Sequence, residues 1–231
     1  MQVVILAGGL GTRLLPITKC VPKPMVEVAG RPFLEHIVSH FVAQHFDRFL
    51  LLVGYLGEQV QDYFGDGVRF AASVQYAREP QPLGTAGAIR HAFGQLDPEF
   101  LLLYGDSYLP IDCREVVRKY RESKLRGLMV VCDNSLQDTG VVNNVALSPN
   151  GTVARYEKDR ATPDLRYVEA GVLCFHRDVF AGLPPSTAIS MEHVVYPQLI
   201  AAGQLGAFVT RQRFFDIGTP SRLEEFAAAT L

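Results

Sequence analysis

QVVILAGGLGTRL, residues 2–14, is an apolar run that passes straight into a glycine-rich loop. Residues 2–7 have the short, uninterrupted apolar character of a buried strand. Gly8, Gly9 and Gly11 follow at once. Glycine lets backbone N–H groups approach an anion and tolerates positive φ, and a row of such groups makes an anion-binding concavity. Arg13 adds a forked cation that suits phosphate oxygens. Two look-alikes are excluded. A dinucleotide fingerprint needs a third glycine where Leu14 stands, and Pro16 interrupts any immediate helix. A Walker A loop needs a Gly-Lys pair, and the chain has none.

Outward from this strand, apolar runs alternate with amphipathic stretches. The spacing of Phe33, Leu34, Ile37, Phe41 and Val42 predicts a helix over 31–46. Strands follow at 48–55, 74–77, 100–104 and 128–132, and helices at 57–64, 84–96 and 112–124, the last capped by Asp112. Such alternation implies a mainly parallel sheet covered on both faces, with ligands at the carboxyl ends of its strands. Beyond about residue 133 the style becomes antiparallel. Strands are expected at 141–147, 153–156 and 168–175, with Pro149-Asn150-Gly151 as a turn. A helix at 191–202, strands at 207–210 and 214–217 and a last helix from 220 complete the chain.

The composition agrees. The chain has 231 residues, 48% hydrophobic and 20% charged, which is ordinary for a globular protein and excludes disorder. A net charge of -2 does not suggest a nucleic-acid partner. The cysteines at 20, 113, 132 and 174 lack metal or redox spacing, and the chain is too large to need disulfides, which points to a reducing compartment. No leader or membrane-spanning stretch is evident, so a cytoplasmic protein without membrane contact is expected. No G-x-S-x-G occurs, and the serines at 107, 190 and 221 have no His-Asp arrangement, so hydrolase chemistry is not supported. His36 and His40 are expected on a partly exposed helix face, since two imidazoles make a poor zinc site.

Past the glycine loop, Lys23 sits between Pro22 and Pro24. Proline fixes its own φ and biases the residue before it, so this lysine is held on a stiff segment. The stretch LAGGLGTRLLPITKCVPKP, 6–24, resembles the signature of the sugar-1-phosphate nucleotidylyltransferases, L-A-G-G-x-G-T-R-L-x-P-x-T-x-x-x-P-K-P, at every fixed position. EPQPLGTAGAI (79–89), YGDSYL (104–109), RYEKD (155–159), VEAGV (168–172) and FFDIGTP (214–220) continue the resemblance in order, over nearly the whole chain. SMEHVVYPQLI (190–200) and the short length look most like mannose- or heptose-1-phosphate guanylyltransferases.

The resemblance implies an α/β fold of nucleotide-diphospho-sugar transferase type. This is a Rossmann-like three-layer αβα sandwich with a mainly parallel mixed central sheet and a small antiparallel accessory layer. One domain, 1–231, is expected, with a nucleotide half over about 1–132 and a sugar-phosphate half over about 133–231. The substrates would be an NTP and a sugar 1-phosphate, and a homodimer is a possible assembly. Arg13 and Lys23 would be catalytic. Leu6, Ala7, Gly8, Gly9, Gly11, Thr12, Glu79, Pro82, Gly84 and Thr85 would bind the nucleotide. Glu157, Lys158, Glu169 and Gly171 would bind the sugar phosphate, although Asp159 replaces the usual proline and Glu169 stands where guanylyl relatives often carry Asn. Asp106 and Asp216 lie at strand ends, far apart in sequence, and would hold Mg²⁺, a hard cation that takes one or two carboxylates plus phosphates.

At position 79 relatives meet the nucleobase edge. A carboxylate only accepts hydrogen bonds, and guanine offers the adjacent N1–H and N2–H donors. GTP is therefore favoured. Uridylyl, thymidylyl or choline-phosphate cytidylyl transfer, or a catalytically silent nucleotide-sugar sensor, are the alternatives.

Overall fold

The computed structural model describes residues 1–135, 139–158 and 162–230. The centre of its main sheet follows from the three most apolar strands. These are β1 (Gln2–Leu6); β4 (Arg48–Val53), which comes after the two-residue strands β2 (Glu27–Val28) and β3 (Arg31–Pro32); and β6 (Glu99–Tyr104), which comes after β5 (Ser73–Arg78). Their order is β6-β1-β4-β5, all parallel, with Val3 opposite both Phe49 and Leu101. Strands buried on both faces need apolar residues at every position, which is why QVVIL, RFLLLV and EFLLLY do not alternate.

Beyond β6 the sheet turns antiparallel. After the short β7 (Ser107–Tyr108) come β8 (Gly127–Asp133), β9 (Val145–Leu147), β10 (Val153–Tyr156) and β11 (Tyr167–His176), followed by β12 (Leu205–Thr210) and β13 (Phe215–Asp216). Strand β11 runs against β6, β8 and β9, and β12 runs parallel to β8. The antiparallel strands thus extend the central sheet itself, while β7 and β13 form a separate ribbon. Between Glu169 and Leu173 the pairing of β11 with β8 shifts. Gly171 lies in that bulge with φ +76°, and a Cβ there would come within 2.8 Å of Ser107 Cβ. Glycine alone suits both the backbone and the space.

Each strand sends alternate residues to opposite sides. Val3, Ile5, Leu51 and Leu103 pack on one face, with α1 (Phe33–Val42), α2 (Gly57–Phe64) and, later in the chain, α4 (Cys113–Ser123) and α6 (Pro220–Thr230). Val4, Leu50, Leu52 and Leu102 pack on the other, with α3 (Gly84–His91) and α5 (Tyr196–Ala201). The result is three layers.

Several boundaries differ from the sequence expectation. Helix α1 is shorter than 31–46, because Arg31–Pro32 pairs with Glu27–Val28 across a turn in which Ala29 and Gly30 both have positive φ. Helix α3 stops at His91, before Gly94. The strand expected over 141–147 forms only at Val145–Leu147. The helix expected from 191 opens with a π-helical turn, Met191–Val195. His36 is buried rather than partly exposed: its ring lies edge-on to Phe226 and its Nε2 bonds the Val28 carbonyl at 2.9 Å. Asp112 caps α4 as expected, accepting from the Arg114 N–H. Asp159 lies outside the described residues.

Candidate active site

The parallel strands deliver four chain segments to one edge. β1 leads into the glycine loop, β4 into Gly54, β5 into Glu79 and β6 into Gly105-Asp106. Backbone hydrogen bonds lock these ends together: Ala7 N–H to Leu52 O at 2.8 Å, Gly105 N–H to Leu6 O at 2.9 Å and Glu79 N–H to Val53 O at 3.0 Å. A cavity of about 440 Å³ opens there. All ten residues assigned to the nucleotide line it, from Leu6, Ala7 and Gly8 round to Gly84 and Thr85, together with Lys23 and Asp106. Pro24, which flanks Lys23, lines it too, as do Leu10, Ala88 and Tyr104, for which the sequence carries no separate signal.

Gly11 is where the loop turns. It has φ +62°, and a Cβ on it would meet Thr18 Cγ2 at 2.9 Å and Lys23 Cβ at 3.0 Å. The loop is therefore packed directly on the Pro22-Lys23-Pro24 segment. Thr18 Oγ1 ties it further by donating to the Gly11 carbonyl at 2.8 Å. Lys23 is 8% exposed and donates to Asp106 Oδ2 at 2.5 Å.

Asp106 and Asp216 come together through the β7–β13 ribbon. Asp216 is in register with Ser107, and the Ile217 N–H donates to the Asp106 carbonyl at 3.1 Å. Asp216 Oδ2 accepts from Arg222 Nη1 at 2.6 Å, and its Oδ1 accepts from the Gly218 N–H at 2.7 Å. Arg222 reaches on to the Gly140 carbonyl at 2.6 Å. Thr219, not Asp216, takes the capping position of α6 and accepts from the Arg222 N–H. Arg13 is exposed. A Cβ on Gly218 would lie 2.6 Å from Asp216 Oδ1 and 3.6 Å from the Arg13 guanidinium carbon, so the three groups are neighbours. Arg13, Lys23, Asp106 and Gly218 line a recess of about 220 Å³ that continues the main cavity. Among the described residues no cluster of three or more His, Cys, Asp or Glu side chains is suited to a metal.

Glu79 folds back on the loop. Its Oε2 accepts from the Leu83 N–H at 2.9 Å, and its Oε1 faces Gly8 and Gly54 closely enough to exclude a Cβ at either. Burial pushes its carboxyl above the usual range, against the lowering effect of the Leu83 bond.

The four residues expected to bind the sugar phosphate, Glu157, Lys158, Glu169 and Gly171, line neither the cavity nor its recess. Glu157 pairs with Arg155 in an exposed ion pair at 3.2 Å. Lys158 donates to Glu192 Oε1 at 2.7 Å. Gly171 lies against Ser107 and Tyr104. Glu169 Oε1 accepts from Tyr196 Oη at 2.7 Å, and Tyr196 contacts Tyr104 through their hydroxyls at 3.3 Å. Glu192, Tyr196 and Arg222 were missed. A carboxylate at a helix start and a tyrosine within a helix carry no local signal beyond capping and core packing.

Burial pushes the Glu169 carboxyl to about 7, and Glu192 adds to the rise, while Tyr196, Tyr156 and Lys158 oppose it. The folded chain then holds this proton more tightly than the unfolded chain, where the group titrates near 4.5. Stability should fall as pH rises between those values and level off above about 7. Glu169→Gln cannot titrate. Relative to the parent it should gain about 2–3 kcal/mol on going from pH 4.5 to 8. Urea unfolding of both proteins at pH 4.5, 6 and 8 reads this directly, and a constant difference across the range would refute it.

Among the described residues no helix is long and apolar enough to cross a membrane. The nucleotidyl transferase family matches residues 2–231. The chain is 31% identical to the mannose-1-phosphate guanylyltransferase of Mycobacterium tuberculosis over 95% of its length, and spans 62% of that longer protein. It is 31% identical to the D-glycero-alpha-D-manno-heptose 1-phosphate guanylyltransferase of Campylobacter jejuni, covering 98% of each chain. Its fold matches that of HddC from Yersinia pseudotuberculosis, solved in complex with GMP-PN, with a TM-score of 0.82 and 25% identity over 100% of this chain and 99% of that one. The match from end to end, on a glycine loop set at the carboxyl edge of a parallel sheet, means that the chain belongs to the nucleotidyl transferase family, among the sugar-1-phosphate nucleotidylyltransferases.

Proposed function

We propose that this chain transfers a guanylyl group from GTP to a hexose or heptose 1-phosphate, giving a GDP-sugar and pyrophosphate. The main support is the convergence of the glycine loop, Arg13, Lys23 and Asp106 on one continuous cavity. The names of the mycobacterial and Campylobacter relatives favour guanylyl transfer to such sugars.

A phosphate oxygen of the sugar 1-phosphate attacks the α-phosphorus in line. The new P–O bond forms as the bond to the bridging oxygen of the β-phosphate breaks, and pyrophosphate leaves. A phosphate monoester has a second pKa near ~6, so the nucleophile is ionised at pH 7 and no general base is required. The protein's work is positioning and charge stabilisation. The loop N–H groups and Arg13 take charge growing on the pyrophosphate, Lys23 steadies the α-phosphate and Lys158 holds the incoming phosphate.

Asp106 and Asp216 fit Mg²⁺. Both are hard oxygen donors, and each keeps one oxygen off its cationic partner. They would hold the ion, whose contribution when bound is to neutralise the crowded phosphate charge.

For the base, Glu79 Oε1 is an acceptor without a hydrogen bond among the described residues, beside the loop that would meet the nucleotide. Guanine N1–H and N2–H suit a carboxylate edge. A second reading, uridylyl transfer, draws on the Leu83 contact: with Oε2 already taken, one acceptor remains, and uracil has one N–H donor. A matrix of four NTPs against a panel of sugar 1-phosphates, followed by pyrophosphate release, separates the two. Glu79→Gln should lower kcat/KM for GTP about 10- to 100-fold, the range for losing a hydrogen bond to a charged group, and narrow the gap to UTP. An unchanged ranking of NTPs would assign base choice to the backbone near Leu83 instead.

A further inference from the structure

We infer that Glu192 is a positioning residue: it fixes Lys158 for the sugar phosphate and anchors it to the nucleotide side of the site. This rests on the phosphate-holding role proposed for Lys158. The Glu192 side chain is 7% exposed and that of Lys158 is 54% exposed, so the carboxylate is the buried partner and the lysine the exposed one. A lysine ammonium on a four-carbon stem has many positions open to it. Here Glu192 Oε1 holds it at 2.7 Å. Glu192 Oε2 is itself held, by Ser190 Oγ at 2.5 Å and Thr85 Oγ1 at 3.3 Å.

Thr85 belongs to the first turn of α3 and lines the nucleotide cavity. The segment carrying Glu192 is stitched to that turn by backbone as well. Ala86 and Gly87 N–H both donate to the Ile189 carbonyl, at 2.9 and 3.1 Å, and Met191 N–H donates to Thr85 Oγ1 at 2.8 Å. Those N–H groups would otherwise lack partners at a helix start. Glu192 then sits in the π-helical turn Met191–Val195, an uncommon geometry that is frequent at functional sites. Burial alone would raise its carboxyl, but the bonds from Lys158 and Ser190 outweigh burial and hold it below the usual range, so it stays a full counter-charge. One chain of contacts thus runs Lys158–Glu192–Thr85, joining residues up to 107 positions apart, from the proposed sugar-phosphate side to the nucleotide cavity.

Glu192→Gln keeps an acceptor for Ser190 and Thr85 and removes the charge that holds Lys158. We expect KM for the sugar 1-phosphate to rise about 10-fold, with KM for the NTP and the melting temperature nearly unchanged. In a Lys158→Met background, where KM for the sugar 1-phosphate is already raised, adding Glu192→Gln should raise it no further. A merely structural Glu192 would shift both KM values and the melting temperature, and its effect would add to that of Lys158→Met; either result overturns the inference. If Lys158→Met raises the KM and Glu192→Gln does not, the positioning role fails and the Lys158 assignment survives. If Lys158→Met itself leaves that KM unchanged, the Lys158 assignment falls, and the positioning inference with it. Should Glu192→Gln fail to fold, Glu192→Asp keeps the charge but draws it back by one methylene, and the same rise in KM for the sugar 1-phosphate alone is expected; an unchanged value overturns the inference.

Discussion

Replacing Arg13 by alanine is expected to lower kcat by roughly 10²–10³-fold, the usual effect of removing one preorganised charge stabiliser. Arg13 lines a recess with Lys23 and Asp106, exposed and without an ion pair among the described residues. Its neighbour Asp216 is already paired with Arg222. An exposed guanidinium without a counter-ion beside a glycine loop is open to an incoming anion. Because Arg13 is exposed and unpaired, its loss should change stability by no more than about 0.5 kcal/mol. Turnover and folding therefore separate cleanly: pyrophosphate release collapses while the melting temperature holds. Arg13→Lys should recover only part of the rate, since an ammonium lacks the planar fork. Parent-like turnover in Arg13→Ala would make Arg13 a solvated side chain and move the pyrophosphate charge onto the loop N–H groups alone.

The cavity at the carboxyl edge was legible in the sequence because its signals are local. The apolar run to Leu6, the glycines and the Pro-Lys-Pro segment each act through their own backbone, and the carboxyl-edge rule then brings Asp106 and Glu79 to the same place. The surroundings of Lys158 and Glu169 were less legible because their contacts are tertiary. Residues 141–144 look like strand by composition, yet Asn144 uses its side chain to accept from the Glu169 N–H and its carbonyl to accept from the Glu157 N–H. Glu192 reads as an acidic residue in a first helical turn, and only folding brings Lys158, 34 positions earlier, onto it. Arg222 reads as a solvated residue of α6, yet it spans Asp216 and Gly140. Hairpin β2–β3 was hidden for another reason: Ala29 takes positive φ, which a non-glycine residue does only when its surroundings impose it.

Under the proposed function, Asp106→Asn is expected to reduce turnover roughly 100-fold or more, and a chelator to abolish activity until Mg²⁺ is restored. A triphosphate, a second phosphate and two aspartates cannot share one recess on the strength of Lys23, Arg13 and Arg222 alone, because the phosphate charges outnumber those cations. Asparagine keeps the shape of Asp106 and an acceptor for Lys23 Nζ, so the fold should survive. Some loss of stability is expected, because Lys23 is buried and would lose its counter-charge; with the Asp106 side chain 35% exposed, water screens part of that loss. A melting curve controls for it. The measurement that isolates the metal is the Mg²⁺ concentration for half-maximal activity, together with direct Mn²⁺ titration of the parent and variant followed by spin resonance. Weaker Mn²⁺ binding in Asp106→Asn, and again in Asp216→Asn, would support the pair as ligands. Full activity of the parent in chelator would remove the metal from the reaction. Unchanged Mn²⁺ binding in Asp106→Asn, with turnover still lost, would leave Asp106 acting only as the anchor of Lys23, through the 2.5 Å contact the two already make.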